Sequence, residues 1–187
     1  LLELKSIQAD GIIYVAGHAR ILHCFPDDLR VPAVMAYAYY NTDEVPSLVL
    51  DDEQGAYEMV KYLISMGHRK IGFVGGLKDN IHVQKRLQGI QKALSEANIP
   101  FDPSRVCFGG WNREVGYREA PKVISQGVTA VFCMTDRIAG GIYDYMEELH
   151  LSVGKDISVA GFDNQDMAAY FKPALTTVDL PLRKMGQ

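Results

Sequence analysis

Short apolar runs alternate with longer amphipathic stretches along most of this chain. The apolar runs predict β-strands at 10–15, 33–37, 47–50, 70–74, 105–108, 129–134, 156–160 and 175–178. The stretches between them predict helices at 18–25, 52–66, 82–97, 113–125, 136–149 and 165–171. Strands that alternate with helices in this way form βαβ units, so the sequence predicts an α/β fold whose parallel sheets are covered by helices on both faces.

The predicted strands are too many for one compact sheet in a chain of 187 residues. We interpret the polar stretch 37–46 as a crossing between two sheets, and we expect two Rossmann-like lobes. In this division, 1–45 belongs to an N-terminal lobe, 46–176 forms a C-terminal lobe and 177–187 crosses back. The second sheet should contain strands 47–50, 70–74, 105–108, 129–134 and 156–160, and the earlier strands should form the first.

The composition is that of an ordinary globular protein, with 48% hydrophobic and 22% charged residues. No apolar run approaches the roughly 20 residues that a membrane span needs. The net charge is −4 and the longest basic run is His68-Arg69-Lys70, so the concentrated positive surface that DNA binding requires is lacking. The first residue is Leu1 rather than Met, and we expect any DNA-binding part to lie upstream of it.

Cysteine and histidine spacing gives no indication of a metal site or a disulfide. The three cysteines, Cys24, Cys107 and Cys133, lie far apart, which favours free thiols in a reducing, cytoplasmic compartment. His18 and His23 lie close to Cys24, but this spacing matches no familiar zinc site. No paired nucleophile and base occurs either, so the sequence predicts neither an enzyme nor a cofactor.

Polar and aromatic residues follow several predicted strands, at the edge where open α/β sheets bind their ligands. The candidate ligand-binding residues are Tyr37, Arg86, Trp111, Thr135, Asp136 and Asp163. Carboxylates and a guanidinium pair with vicinal hydroxyls, and a flat aromatic ring covers the apolar face of a sugar. The set therefore indicates a polyhydroxylated ring, although stacking would also suit a purine or a nucleoside.

Most of these candidates also have an explanation that needs no ligand, and Tyr37 could line an interface between the lobes. Asp136 could cap the helix that follows it, and Trp111 could be a packed core aromatic. Arg86 could be a solvated residue of an amphipathic helix, and Asp163 could shape a turn. Convergence of Arg86, Trp111 and Asp163 would favour ligand binding, whereas three separate environments would favour the structural explanations.

Several short motifs occur in the order that is typical of the LacI/GalR family of transcriptional regulators. The resemblance runs from about Gly11 to Gly186 and rests on Asp51-Asp52-x-x-Gly55-Ala56, Gly67 to Gly76, Arg86-Leu87-x-Gly89, Gly116-Tyr117, Thr129 to Phe132, Asp156 to Asp163 and Pro173 to Val178. Each motif alone is common, but the ordered set is specific. The segment Tyr170 to Thr177 resembles the purine-repressor branch in particular.

This resemblance implies a periplasmic-binding-protein-like core of type I, usually a homodimer, that binds a small effector between two lobes. It further implies a helix-turn-helix headpiece before Leu1, a final stretch after Gln187, and operator affinity that changes when the effector binds. By position, Arg86 and Asp163 match residues that grip the effector, and Trp111 matches the aromatic stacking position.

Three positions depart from the family pattern and leave the identity of the effector open. Thr135 stands where an asparagine is usual before Asp136, and Tyr37 stands where relatives often have a polar residue. Leu180 replaces a glutamine that commonly precedes a proline. We expect a carbohydrate effector.

Two other functions compete with this interpretation. A secreted sugar-binding protein of a transport system would have the same fold and cleft, and the segment upstream of Leu1 would distinguish it: a signal peptide or a helix-turn-helix. An α/β enzyme acting on a sugar or a nucleotide is the third possibility, but it lacks an acid–base or nucleophile pair. A turnover assay would separate it from both binding functions.

Overall fold

The computed structural model describes residues 9–16, 21–22, 31–40 and 45–187. The chain divides into two compact units, one made of Leu1–Leu50 with Pro181–Gln187 and the other of Asp51–Leu180. The second unit thus begins five residues later than the expected 46 and retains the segment 177–180, which was expected to cross back.

The first unit contains two small groups of parallel strands. Strands β1 (Ile12–Val15), β3 (Ala33–Ala36) and β5 (Ser47–Leu48) form one sheet in the order β1-β3-β5. Strands β2 (Ile21–Leu22) and β4 (Tyr39–Tyr40) pair with each other. The helix predicted at 18–25 is therefore wrong at β2, and its remaining residues lie outside the described part of the chain.

The assignment of strand 47–50 to the second sheet is wrong. Only Ser47 and Leu48 form a strand, and they pair with Met35 and Ala36 of β3 in the first unit. A short apolar run indicates a strand but does not reveal which neighbour supplies its hydrogen bonds. The chain passes between the units at Leu50 instead of within 37–46.

The second unit is a doubly wound sheet of five parallel strands. These are β6 (Ile71–Gly75), β7 (Val106–Phe108), β8 (Ala130–Cys133), β9 (Ser158–Asp163) and β10 (Thr176–Asp179), in the order β10-β9-β8-β6-β7. Strands β7 and β8 lie on opposite sides of β6, so the direction of winding reverses there. In open α/β sheets, this reversal opens a crevice at the carboxyl ends of the strands.

Two pairs of helices cover the two faces of this sheet. They are α1 (Asp52–Ser65) with α2 (Ile81–Glu96), and α3 (Arg113–Ile124) with α4 (Asp136–Glu148). All five residues of β6 are buried, with Phe73 in the core cluster beside α1 and α2 and Val74 in the cluster beside α3 and α4. This double burial explains why β6 is a continuous apolar run in the sequence.

Each pair of helices approaches closely at a glycine. A Cβ atom at Gly89 of α2 would collide with the backbone carbonyl of Glu53 in α1, and one at Gly116 of α3 would collide with that of Ile138 in α4. The first contact matters for the site described below, because it holds the start of α1 against the middle of α2.

Side-chain caps begin three of these helices directly after strands. Asn80 accepts from the N–H of His82, Asn112 from that of Val115 and Thr135 from that of Ile138. The amino ends of α2, α3 and α4 are therefore at the carboxyl edge of the sheet. A 3-10 segment, Asp166–Tyr170, follows β9, and a short helix α5 (Leu182–Met185) belongs to the first unit. Among the described residues, no helix is long and apolar enough to span a bilayer.

Candidate functional site

Arg86 occupies the centre of the carboxyl edge of the second sheet. Its Nε donates to Oδ1 of Asp52 over 2.8 Å, and its Nη1 donates to the backbone carbonyl of Met134, which follows β8. The guanidinium carbon lies 3.6 Å from the centre of the Phe162 ring. Arg86 is only 2% exposed, so the alternative that it is a solvated surface residue is wrong.

Asp52 and His82 support Arg86 and were not among the predicted site residues. Asp52 is completely buried and accepts hydrogen bonds from Arg86 and from Nδ1 of His82. Burial alone would raise the pKa of Asp52, but the His82 hydrogen bond and the Arg86 charge outweigh it and lower the pKa. The sequence does hold a signal for this group, because His82 and Arg86 are four residues apart and so share one face of α2.

Asp163 faces Arg86 from the end of β9. Its Oδ1 lies 3.9 Å from Nη2 of Arg86, and its Oδ2 accepts a hydrogen bond of 3.0 Å from Nε2 of Gln165. Burial raises the pKa of Asp163 to about 6, although the Arg86 charge and the Gln165 hydrogen bond act in the opposite direction. The separation of 3.9 Å is longer than a hydrogen bond, so a ligand hydroxyl could accept from Nη2 and donate to Oδ1.

Trp111 follows β7 and also lies near Arg86. The Arg86 guanidinium carbon is 5.8 Å from the centre of the Trp111 ring, and the ring lies against Gly76, where a Cβ atom would collide with it. Trp111 is partly buried and packs at the edge of the core cluster beside α1 and α2. Trp111 and Asp163 thus both lie beside Arg86, and their contact with a ligand stays a prediction.

Thr135 and Asp136 hold the framework of the site together. Oγ1 of Thr135 caps α4, so the alternative explanation of Asp136 as the helix cap is wrong. Asp136 is the first residue of the helix and is completely buried, and its carboxylate accepts from the Thr177 hydroxyl and from the Gln165 backbone N–H. Burial raises the pKa of Asp136, although these hydrogen bonds act in the opposite direction. Both side chains are engaged within the protein, and their contact with a ligand stays a prediction.

Tyr37 belongs to the first unit. It follows β3 with a positive φ of 61°, and its backbone N–H donates to the carbonyl of Leu48 over 2.9 Å. Its role in ligand binding stays a prediction.

The described residues contain no cluster of three or more histidine, cysteine, aspartate or glutamate side chains that could hold a metal ion. His18, His23 and Cys24 lie outside the described residues. Cys107 and Cys133 are buried free thiols, and burial raises the pKa of both, which keeps them protonated.

Arg86 carries one positive charge between the carboxylates of Asp52 and Asp163. Two of its nitrogens already donate to protein acceptors, and the third points toward Asp163. The Asp163 carboxylate can accept hydrogen bonds from a ligand. The two carboxylates largely balance the positive charge of Arg86. This arrangement therefore favours a neutral ligand that donates hydrogen bonds over a phosphate or a carboxylate.

Comparison with known proteins identifies relatives along nearly the whole chain. Residues 60–187 match the model of the periplasmic binding protein-like domain family. The HTH-type transcriptional repressor PurR of Photorhabdus laumondii subsp. laumondii is 35% identical over 192 residues, which cover 100% of this chain and 56% of the relative. The ribose operon repressor of Haemophilus influenzae is 32% identical over 190 residues, with 100% and 57% covered.

A solved structure, the transcription regulator CcpA of Lactococcus lactis, superposes with a TM-score of 0.80 at 30% identity. The superposition covers 99% of this chain and 69% of that one. The chain thus spans slightly more than half the length of the curated relatives, 56% and 57%.

Proposed function

Because this chain belongs to the periplasmic-binding-protein-like domain family, and within it to the effector-binding cores of LacI/GalR regulators, we propose that it senses a small molecule for a transcriptional repressor. Effector binding would favour one arrangement of the two lobes, and that preference would change the affinity of the intact protein for operator DNA. DNA contact would come from a segment outside this chain, and the working form would be a homodimer in the cytoplasm.

One observation carries the proposal for the binding site. Trp111 follows β7 and Asp163 ends β9, yet both side chains lie beside Arg86 of α2, near the strand where the winding of the sheet reverses, which is the usual ligand crevice of this fold. Burial fixes Arg86 before any ligand arrives, so little side-chain entropy would be lost on binding.

The chemistry of the crevice favours a neutral polyol, and we propose a carbohydrate. Asp163 would accept from one or two ligand hydroxyls, Nη2 of Arg86 would donate to the same ring, and Trp111 would cover its apolar face. The name of one relative, the ribose operon repressor, is compatible with a sugar. A nucleobase could also stack on Trp111 and is the second ligand class to test.

The relatives favour a regulator over a secreted transport protein, since their names describe transcriptional repressors and a transcription regulator. We propose no enzymatic activity. Binding and release of the effector would be sufficient for this role.

The single tryptophan of the sequence provides the test for a ligand. A panel of monosaccharides, disaccharides and nucleobases is titrated into the protein while Trp111 fluorescence is recorded. A saturable change for at least one neutral sugar is expected, and its mirror-image sugar controls for nonspecific quenching. Saturable responses to nucleobases alone would overturn the carbohydrate assignment, and no saturable response to any compound would count against ligand binding beside Trp111.

A mobility-shift titration tests whether DNA binding requires a segment outside this chain. The chain of net charge −4 should not bind duplex DNA with sequence specificity on its own. A longer form that includes the upstream segment should bind, and the affinity should fall steeply with salt. Tight, sequence-specific binding by the 187-residue chain alone would contradict the proposal.

A further inference from the structure

The turn after β9 holds Asp163 in a backbone conformation that needs outside support. Asp163 has a φ of 111° and the next residue, Asn164, has a φ of 51°. Two consecutive non-glycine residues with positive φ are unfavourable, and they persist only where surrounding contacts impose them. The residue that follows this pair, Gln165, makes contacts of this kind.

Gln165 supplies three of them. Its backbone N–H donates to Oδ2 of Asp136 over 2.7 Å, its Nε2 donates to Oδ2 of Asp163 over 3.0 Å, and its Oε1 accepts from Nε of Arg137 over 3.3 Å. An arginine side chain has only donors, so the oxygen of the Gln165 amide must face Arg137. The NH₂ group must then face Asp163, which fixes the orientation of the amide.

We propose that Gln165 is a positioning residue for effector recognition, which holds the Asp163 carboxyl by its Oδ2 and leaves its Oδ1 facing Arg86 and the ligand. The consequence for effector binding rests on the proposed function. The hydrogen bond between Gln165 and Asp163, in contrast, is a property of the protein without a ligand. One carboxylate oxygen is engaged by Gln165, so a ligand meets one defined acceptor rather than a rotating carboxyl group.

The ionisation of Asp163 depends on neighbouring charges that act in opposite directions. Arg86 on α2 stabilises the carboxylate, and Asp136 on α4 and Asp52 on α1 destabilise it. Three further groups contact the residues around Asp163. His82 contacts Asp52, Arg137 donates a hydrogen bond to Gln165, and Asp179 accepts one from Asn164. In this balance, the Gln165 hydrogen bond helps keep the pKa of Asp163 from rising further. Without it, more of the carboxyl would be protonated at neutral pH, and a protonated carboxyl has lost part of its acceptor capacity.

The test is the titration of the Asp163 carboxyl in ligand-free protein, followed by NMR with ¹³C-labelled aspartate and assigned with Asp163→Asn. Gln165→Met keeps the length of the side chain and removes the donor, and Gln165→Glu keeps the shape and adds a carboxylate. Both should raise the Asp163 midpoint, by about one pH unit in the first variant and by more in the second. The exposed Gln126 provides the control, since Gln126→Leu should leave the midpoint unchanged.

An Asp163 midpoint that stays at the wild-type value in both Gln165 variants overturns the proposal. Gln165→Glu guards against a folding defect, because it leaves the backbone hydrogen bond to Asp136 and the acceptor for Arg137 in place. For any sugar that binds, Gln165→Met should weaken affinity most near the midpoint and less at higher pH, where Asp163 is ionised in both proteins. If Asp163→Asn binds that sugar as tightly as the wild type does, the proposed function fails at this residue, while the midpoints still decide the role of Gln165.

Discussion

The Nε atom of Arg86 donates to Oδ1 of Asp52 over 2.8 Å, and the two side chains are 2% and 0% exposed. This contact joins the start of α1 to the middle of α2 and makes Arg86 a fixed part of the site. Its Nη2 is the nitrogen that faces Asp163, where a ligand hydroxyl would be placed.

The Arg86–Asp52 contact predicts a large loss of stability for Asp52→Asn. The variant removes the carboxylate that is hydrogen-bonded to the buried Arg86, and breaking a buried ion pair in this way typically costs about 3–5 kcal/mol. Urea unfolding at neutral pH measures the change. The neighbouring Asp51→Asn is the matched control, because Asp51 is exposed and an asparagine caps a helix about as well. Equal stability of the two variants would show that the buried pair is not needed.

The raised pKa of Asp163 predicts that the stability of the ligand-free protein depends on pH. Its pKa of about 6 lies above the ordinary value of 3.8, so between these values the folded protein binds more protons than the unfolded chain. Its contribution to stability is therefore full below about pH 4 and is lost as pH rises through about 6. From about pH 5 to about pH 7.5, this one group should reduce the free energy of unfolding by about 1 kcal/mol.

Asp163→Asn should remove this decrease in the free energy of unfolding. Chemical denaturation of the variant and of the wild type at the two pH values measures the difference. The variant should be more stable than the wild type at the higher pH, as expected for a residue kept for binding rather than for folding. The exposed Asp166→Asn, three residues along the chain, should retain the wild-type pH dependence. The same slope in Asp163→Asn and in the wild type would contradict the raised pKa.

The close contact between α1 and α2 at Gly89 predicts that a larger residue there lowers the stability of the protein. In Gly89→Ala, the new methyl group would collide with the Glu53 backbone, so α1 and α2 must separate, at a cost of about 1–3 kcal/mol or more. The nearest atom to a Cβ at Gly110 lies at an ordinary 3.6 Å, so Gly110→Ala is the matched control. Thermal unfolding should show a large decrease in Tm for the first variant only, and an unchanged Tm in Gly89→Ala would be incompatible with this helix contact.

The layered α/β fold of the second unit could be predicted because its pattern is local. The buried run of β6 and the amphipathic pattern of α2 are visible in the sequence at the correct places. The sheet to which β5 belongs could not be predicted, because two paired residues carry no information about their partner strand.

The candidate site was predictable in part, for a related reason. The ends of parallel strands gave Arg86, Trp111 and Asp163, since the fold brings those ends to one edge. Asp52 was missed because its contact with Arg86 spans 34 residues and depends on how two helices pack. Gln165 was missed because its contribution depends on the geometry of a strained turn, which spacing does not encode.

The most direct test of the account is the affinity of Asp163→Asn for a sugar that binds the wild-type protein, measured by isothermal titration calorimetry with Asp166→Asn as the control. The account predicts wild-type affinity for Asp166→Asn and a loss of roughly 2 kcal/mol or more for Asp163→Asn, about thirtyfold in Kd, because the charge-assisted acceptor is lost. Equal affinities in all three proteins would contradict the claim that the carboxyl edge of the second sheet recognises the effector through Asp163.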